Sequence, residues 1–258
     1  MADTIDTRDL RQRASAEDEQ TLVATIGAWL AEQRHDEAAA QLEATLEERP
    51  DWPMANLLMA VTDWRRGRLE AAEAAFDRAL SLDPANVTAQ LERASFLTQR
   101  GRHAEAIDAI EAAINQVPDN VAAHHLRITT LSALGEAERA FRAADEALAL
   151  LPDSLQLLCL KGALQRAHGQ LREAFATQRA VLARAPDYLP GLIEAGTTLQ
   201  HLGRPNEAIE YLDRALDTNG DQVAALVAMG MALSDSTCRT RPLPRSTGRR
   251  SSPMPTPT

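Results

Sequence analysis

Aromatic residues make up only 3% of this 258-residue sequence, and runs of β-branched residues are scarce. Ala, Leu, Arg and Glu dominate instead, which favours helices, because Ala and straight-chain side chains lose little rotamer freedom there. Only two cysteines are present, Cys159 and Cys238. They make no disulfide framework, which points to a reducing compartment. No apolar run approaches the roughly 20 residues that a membrane span needs. The N-terminal MADTIDTRDLRQR lacks the apolar core of a secretory signal. Basic charge is also in deficit: the formal net charge is -10, which argues against the basic stripe of a nucleic-acid surface. Five arginines (Arg239, Arg241, Arg245, Arg249, Arg250) follow residue 237 with no acid among them, leaving -15 on residues 1–237. These absences predict a cytoplasmic protein without nucleic-acid binding or membrane insertion.

Catalytic constellations are missing too. The six histidines (His35, His103, His124, His125, His168, His201) show no paired zinc-helix spacing, and no cysteine pair supplies a metal site. His124 and His125 are adjacent, so on a helix they point in different directions and do not chelate together. The spacing predicts His124 near a hairpin seam and His125 on an open face. Cys159 has no activating partner visible in the sequence and reads as a small buried or groove residue. The sequence therefore predicts no enzyme activity, no cofactor and no metal.

What is present is a period. Pro50, Pro84, Pro118, Pro152 and Pro186 stand 34 residues apart, with Gly220 in the next slot. Gly67, Gly101, Gly135, Gly169 and Gly203 keep the same spacing, as do Ala38, Ala72, Ala106, Ala140, Ala174 and Ala208. Each Gly follows a helical stretch and suits the left-handed conformation that closes a helix. Each Pro follows a second helix and stops it. The alanines let paired helices approach closely. Phe76, Leu80, Ile107, Ile110, Leu148, Leu182, Ile209 and Leu216 fill the remaining space on one face.

These residues resemble the tetratricopeptide repeat family. The motif reads Ala60, Gly67, Ala72, Phe76, Ala79 and Pro84 in the second cycle, and Leu192, Gly196, Gly203, Ala208, Ala215 and Leu216 in the sixth. Two departures weaken single hairpins. The large aromatic of the family's first helix is replaced by Leu22, Asn56, Gln90, His124, Leu158 and Leu192, and Gln33 stands where the first Gly belongs. The resemblance covers residues 19–236 and implies an all-α, right-handed superhelix: a solenoid of six complete helical hairpins and a partial seventh. By phase, a polar and partly disordered N-terminal segment, 1–18, precedes hairpins at 19–52, 53–86, 87–120, 121–154, 155–188 and 189–222, then a partial one at 223–236. No hairpin buries its apolar face alone, so neighbours must stack.

The resemblance also implies a concave groove lined by first helices. The inward phases hold Leu57, Val61, Trp64, Arg65, Glu92, Ser95, Gln99, His125, Thr129, Arg166, Glu194, Thr197 and His201. Trp and Arg are enriched at binding hot spots, although Trp64 packing against the next repeat is an equal alternative. The Lys, Asn and Arg clamp by which some family members hold a C-terminal carboxylate is absent from the matching phases. The expected role is a protein-interaction scaffold binding a peptide or protein segment in the groove. The alternative is the N-terminal substrate-recognition arm of a larger bacterial enzyme, such as a sulfotransferase or glycosyltransferase.

The last first helix, VAALVAMGMAL, is apolar nearly all round and expects a partner. Self-association through residues 223–233 would supply one. Residues 237–258, rich in Arg, Pro, Ser and Thr, read either as a disordered tail or as a frameshifted stretch. In a frame one nucleotide earlier, Ser246-Thr247-Gly248-Arg249 permits the tetrapeptide of Phe76-Asp77-Arg78-Ala79, at the same phase of the repeat.

Overall fold

The computed structural model describes the backbone of residues 7–218 and 223–240, and the side chains of 19–218 and 223–234. The rest of the expected tail, from residue 241 on, lies outside them. The described residues form helices alone: α1 (Thr7–Ala31), α2 (His35–Glu48), α3 (Pro53–Arg65), α4 (Leu69–Leu82), α5 (Val87–Gln99), α6 (His103–Gln116), α7 (Val121–Ala133), α8 (Ala137–Leu150), α9 (Leu155–Ala167), α10 (Leu171–Arg184), α11 (Leu189–His201), α12 (Pro205–Thr218) and α13 (Val223–Thr240). Taken in pairs they are six hairpins, with α13 opening a seventh. The fold class is the all-α superhelical repeat. Compactness divides the chain after Pro152 into a first unit containing α1–α8 and a second containing α9–α13.

Two ends differ from the phase-based boundaries. Helix α1 reaches back to Thr7, into the expected N-terminal segment, because residues 7–20 are rich in Arg, Ala, Glu and Gln and contain no Pro or Gly to stop a helix. Helix α13 runs on to Thr240, past 236, since the first proline beyond it is Pro242.

The turn inside each hairpin is closed as the glycine series requires. Gly67, Gly101, Gly135, Gly169 and Gly203 all have φ between +70° and +77°. At Gly101 the next amide, Arg102 N–H, bonds back to the Leu97 carbonyl at 2.9 Å, the long bond of a Schellman closure. Gln33 adopts the same conformation with φ +62°, the one non-glycine residue among those described to do so. Between hairpins, Asn86 and Asn120 cap α5 and α7 by accepting from the amides of Ala89 and Ala123 at 2.9 and 3.0 Å.

Within hairpins the two helices exchange volume at one pair of phases. Ala60 accompanies Phe76 and Ala94 accompanies Ile110 in the core of the first unit. Ile128 and Ala144, at the same phases, reverse the order, and both are buried. In the second unit a Cβ added to Gly196 would stand 2.6 Å from Leu212 Cγ, and one added to Gly162 would stand 3.4 Å from Gln178 Cγ. A small residue on one helix thus admits a larger one from its partner, and close packing is kept although the residues change.

Candidate functional site

First helices neighbour one another within each unit: α1, α3, α5 and α7 in the first, α9, α11 and α13 in the second. Their shared face is where the sequence placed its candidate residues. Leu57 is a correction to that placement. It is only 3% exposed and packs in the core with Ala60, Phe76 and Phe96, because Phe96 of the next hairpin brings a large ring to this part of the core; His125, at the same phase two repeats later, is exposed.

Trp64 is tied down as well. Its ring meets Phe96 edge-on, with centroids 5.8 Å apart and planes at 87°. Its Nε1–H donates to Gln99 Oε1 at 3.2 Å. The Arg65 guanidinium lies over the Trp64 ring, 5.7 Å from the centroid. Burial pushes the Glu92 carboxyl above its ordinary range, and the positive charge of Arg65 acts against that. Val61 and Ser95 are half-buried, and Thr129 Oγ1 donates to carbonyls of its own helix, at 3.1 Å to His125 and 3.0 Å to Leu126. His125 is exposed, and the protein around it lowers its pKa by desolvation. His124 is buried, with Nε2 at 2.8 Å from the Pro118 carbonyl.

In the second unit Arg166 and Glu194 bind each other: Nε and Nη2 of the guanidinium both lie 3.2 Å from Glu194 Oε2. Thr197 Oγ1 donates to the Ile193 carbonyl at 2.9 Å, and His201 is exposed at the end of α11. Cys159 is buried, and burial, reinforced by Glu194, pushes its thiol up to about 11. It is therefore a neutral thiol at physiological pH, without the thiolate that nucleophilic chemistry needs.

One regularity was not read from the sequence. The residues at the phase of Trp64 reach across to the next first helix in four repeats. Trp64 bonds Gln99, Thr98 Oγ1 lies 3.1 Å from Thr130 Oγ1, Arg166 pairs with Glu194, and Gln200 Nε2 donates to the Ala228 carbonyl. The signal was the 34-residue spacing itself, since these four residues share one phase. In the first unit a line of short, half-buried side chains runs at a single phase, one per helix: Val61, Ser95 and Thr129. Arg65, Glu92, Gln99 and His125 flank it. Among the described residues no group of three or more His, Cys, Asp or Glu side chains could hold a metal ion, and no helix is long and apolar enough to cross a membrane.

Comparison with known proteins fits this geometry. Residues 57–121 and 165–230 match two family models, each described as tetratricopeptide repeat, and together these span half of the chain. No curated protein matches the sequence significantly. Among solved structures, a tetratricopeptide repeat protein from Parabacteroides merdae superposes with a TM-score of 0.67 at 13% identity, over 82% of this chain and 83% of that one. PilW, a type IV pilus biogenesis factor, gives 0.64 at 19% identity over 81% and 97%. A thermophilic protein of Thermus thermophilus with the same repeat gives 0.60 at 21% identity over 71% and 100%. At these identities the likeness is one of fold.

Proposed function

This chain belongs to the tetratricopeptide repeat family, and from that premise we propose that its first unit holds an extended peptide segment of a partner protein along Val61, Ser95 and Thr129. The repeat fold is that of a protein-interaction scaffold; the ligand class and its track are the added reading. The observation that carries it is the shared phase of these three short side chains. Short residues let a peptide backbone come close to the helices, while the longer Arg65, Gln99, Glu92 and His125 supply donors and acceptors at the edges.

Rigidity supports the same reading. Trp64 is fixed by Phe96 and Gln99, and Thr129 satisfies its own hydroxyl within α7. Little side-chain freedom remains to be lost on binding, which favours affinity. The mixed charge of Arg65 and Glu92 suits a peptide that alternates polar and small apolar positions.

The test is a peptide selected from a random library on the full chain. Its affinity is then measured for the wild type, Ser95→Arg, Thr129→Arg and a control, Ala112→Arg, on the exposed side of α6. Filling the line should weaken binding on the order of 10-fold or more, because desolvated centres carry most interface energy. The control should bind as the wild type does. Equal affinity in all four proteins would overturn the track.

A further inference from the structure

The last first helix departs from its counterparts in the second unit at two phases. Leu192 of α11 is fully buried, whereas Leu226 of α13, one repeat later, is 49% exposed. A Cβ on Gly162 or Gly196 would meet the second helix of its own hairpin, at Gln178 or Leu212, whereas a Cβ on Gly230 would meet nothing within 4 Å. The other side of α13 is seated normally: Ala228, Met229 and Ala232 pack with Leu199, Ala208 and Leu212.

The uncovered side is a continuous seam. Val223, Leu226, Val227, Gly230 and Met231 follow the three-and-four spacing of one helix face, with Val223 71%, Val227 58% and Met231 59% exposed. No charged residue occurs in 223–234.

We propose that this seam is covered by the same seam of a second copy of the chain, making an isologous dimer about a two-fold axis near Gly230. Area argues for this. The bare side chains expose on the order of 400 Å² of apolar surface, a contiguous patch of the size that is often functional on a protein surface. Two copies with their flanking residues bury on the order of 1,000 Å², the threshold for a specific interface. Chemistry argues for it as well. An uncharged face can meet its own copy without opposing like charges, and a glycine at the crossing lets two helix backbones approach closely. Each α13 then lies where a second helix lies in the complete hairpins.

Sedimentation of the full chain at roughly 1 to 100 μM, a range that covers micromolar association, tests the proposal. The wild type should sediment as a dimer. Val227→Glu combined with Met231→Glu should weaken association on the order of 100-fold, because each charge enters a two-fold interface twice. Both side chains point outward, so the thermal melt of the diluted monomer should be retained. Gly230→Gln, which adds bulk without charge, serves as the second variant should the double glutamate fail to fold, and it too should yield monomer. A wild-type monomer throughout would overturn the proposal, including the case in which the seam captures a different protein. A dimer unmoved by either variant would overturn the location. Peptide affinity on the first unit, measured in parallel, should be unchanged by these substitutions.

Discussion

His124 Nε2 lies 2.8 Å from the carbonyl oxygen of Pro118, six residues earlier. Since a carbonyl only accepts, the imidazole is in the tautomer that carries its proton on Nε2. The same reach occurs at the two preceding repeats: Asn56 Nδ2 donates to the Pro50 carbonyl at 3.0 Å, and Gln90 Nε2 to that of Pro84 at 2.7 Å. Three polar residues that break the family's aromatic pattern thus fasten each first helix to the proline turn before it. His124→Gln should keep the bond and lie close to the wild type in chemical denaturation. His124→Ala should lose about 2 kcal/mol, from the bond and the cavity together. Equal stability of the two variants would show that the bond contributes nothing.

Gln33 sits at φ +62° in the slot that glycine fills in the other hairpins. Side chains with a Cβ are strained there by about 1–2 kcal/mol, and glycine is not. Part of that relief is offset by the greater freedom of glycine in the unfolded chain. Gln33→Gly should therefore stabilise the protein by about 0.5–1 kcal/mol. The reverse change, Gly101→Ala, should destabilise it by a similar amount, because its Cβ meets nothing within 4 Å and only the backbone strain is felt. Urea midpoints that move in the opposite directions would contradict this.

The reversed pair Ile128 and Ala144 allows a double-mutant cycle. Ala144→Ile alone overfills the phase and should cost about 1–3 kcal/mol. Ile128→Ala alone leaves a hole and should cost about 2–4 kcal/mol. Together they restore the order found at Ala94 and Ile110, and the double variant should be more stable than the sum of the single effects by at least about 1 kcal/mol. Strict additivity would mean that the two phases do not share space.

Asp63 stands where Leu97, Leu131 and Leu199 stand in other repeats, and it is only 4% exposed. Burial pushes its carboxyl above the ordinary 3.8, against the pull of Arg68 and Arg66, whose nitrogens are no nearer than 3.8 Å. The folded state therefore binds this proton more readily than the unfolded chain does. Stability falls as pH rises from 3.8 through the raised value, and the residue is a liability at neutral pH. Asp63→Leu should stabilise the fold by about 1 kcal/mol at pH 7, with the gain shrinking as pH is lowered toward 3.8. A gain that does not change with pH would remove the titration from the explanation.

The architecture was legible because punctuation and packing repeat. Gly101 and Pro118 mark a turn and a stop wherever they recur, and the helices begin and end beside them. The face was legible only as a set of phases. Periodicity puts Trp64 and Arg166 on the inward face of the first helices, but does not say whether they stop at a neighbouring first helix. That depends on whether the next helix offers a partner, and Gln99 and Glu194 do. Leu57 was misplaced for a related reason: its phase lies at the edge between face and core, and Phe96, one repeat later, is large enough to bury it. Asn56, Gln90 and His124 looked like lost aromatics because the proline carbonyls that receive them are invisible to a pattern of side chains.

The most direct measurement is an NMR titration of the full chain with a library-selected peptide, followed at methyl groups. A peptide lying along the first-helix line predicts the largest shifts at Val61 and Thr129, with Ala112 and Val117 on the opposite side unmoved. Shifts concentrated at Ala112 and Val117, with Val61 and Thr129 silent, would contradict it.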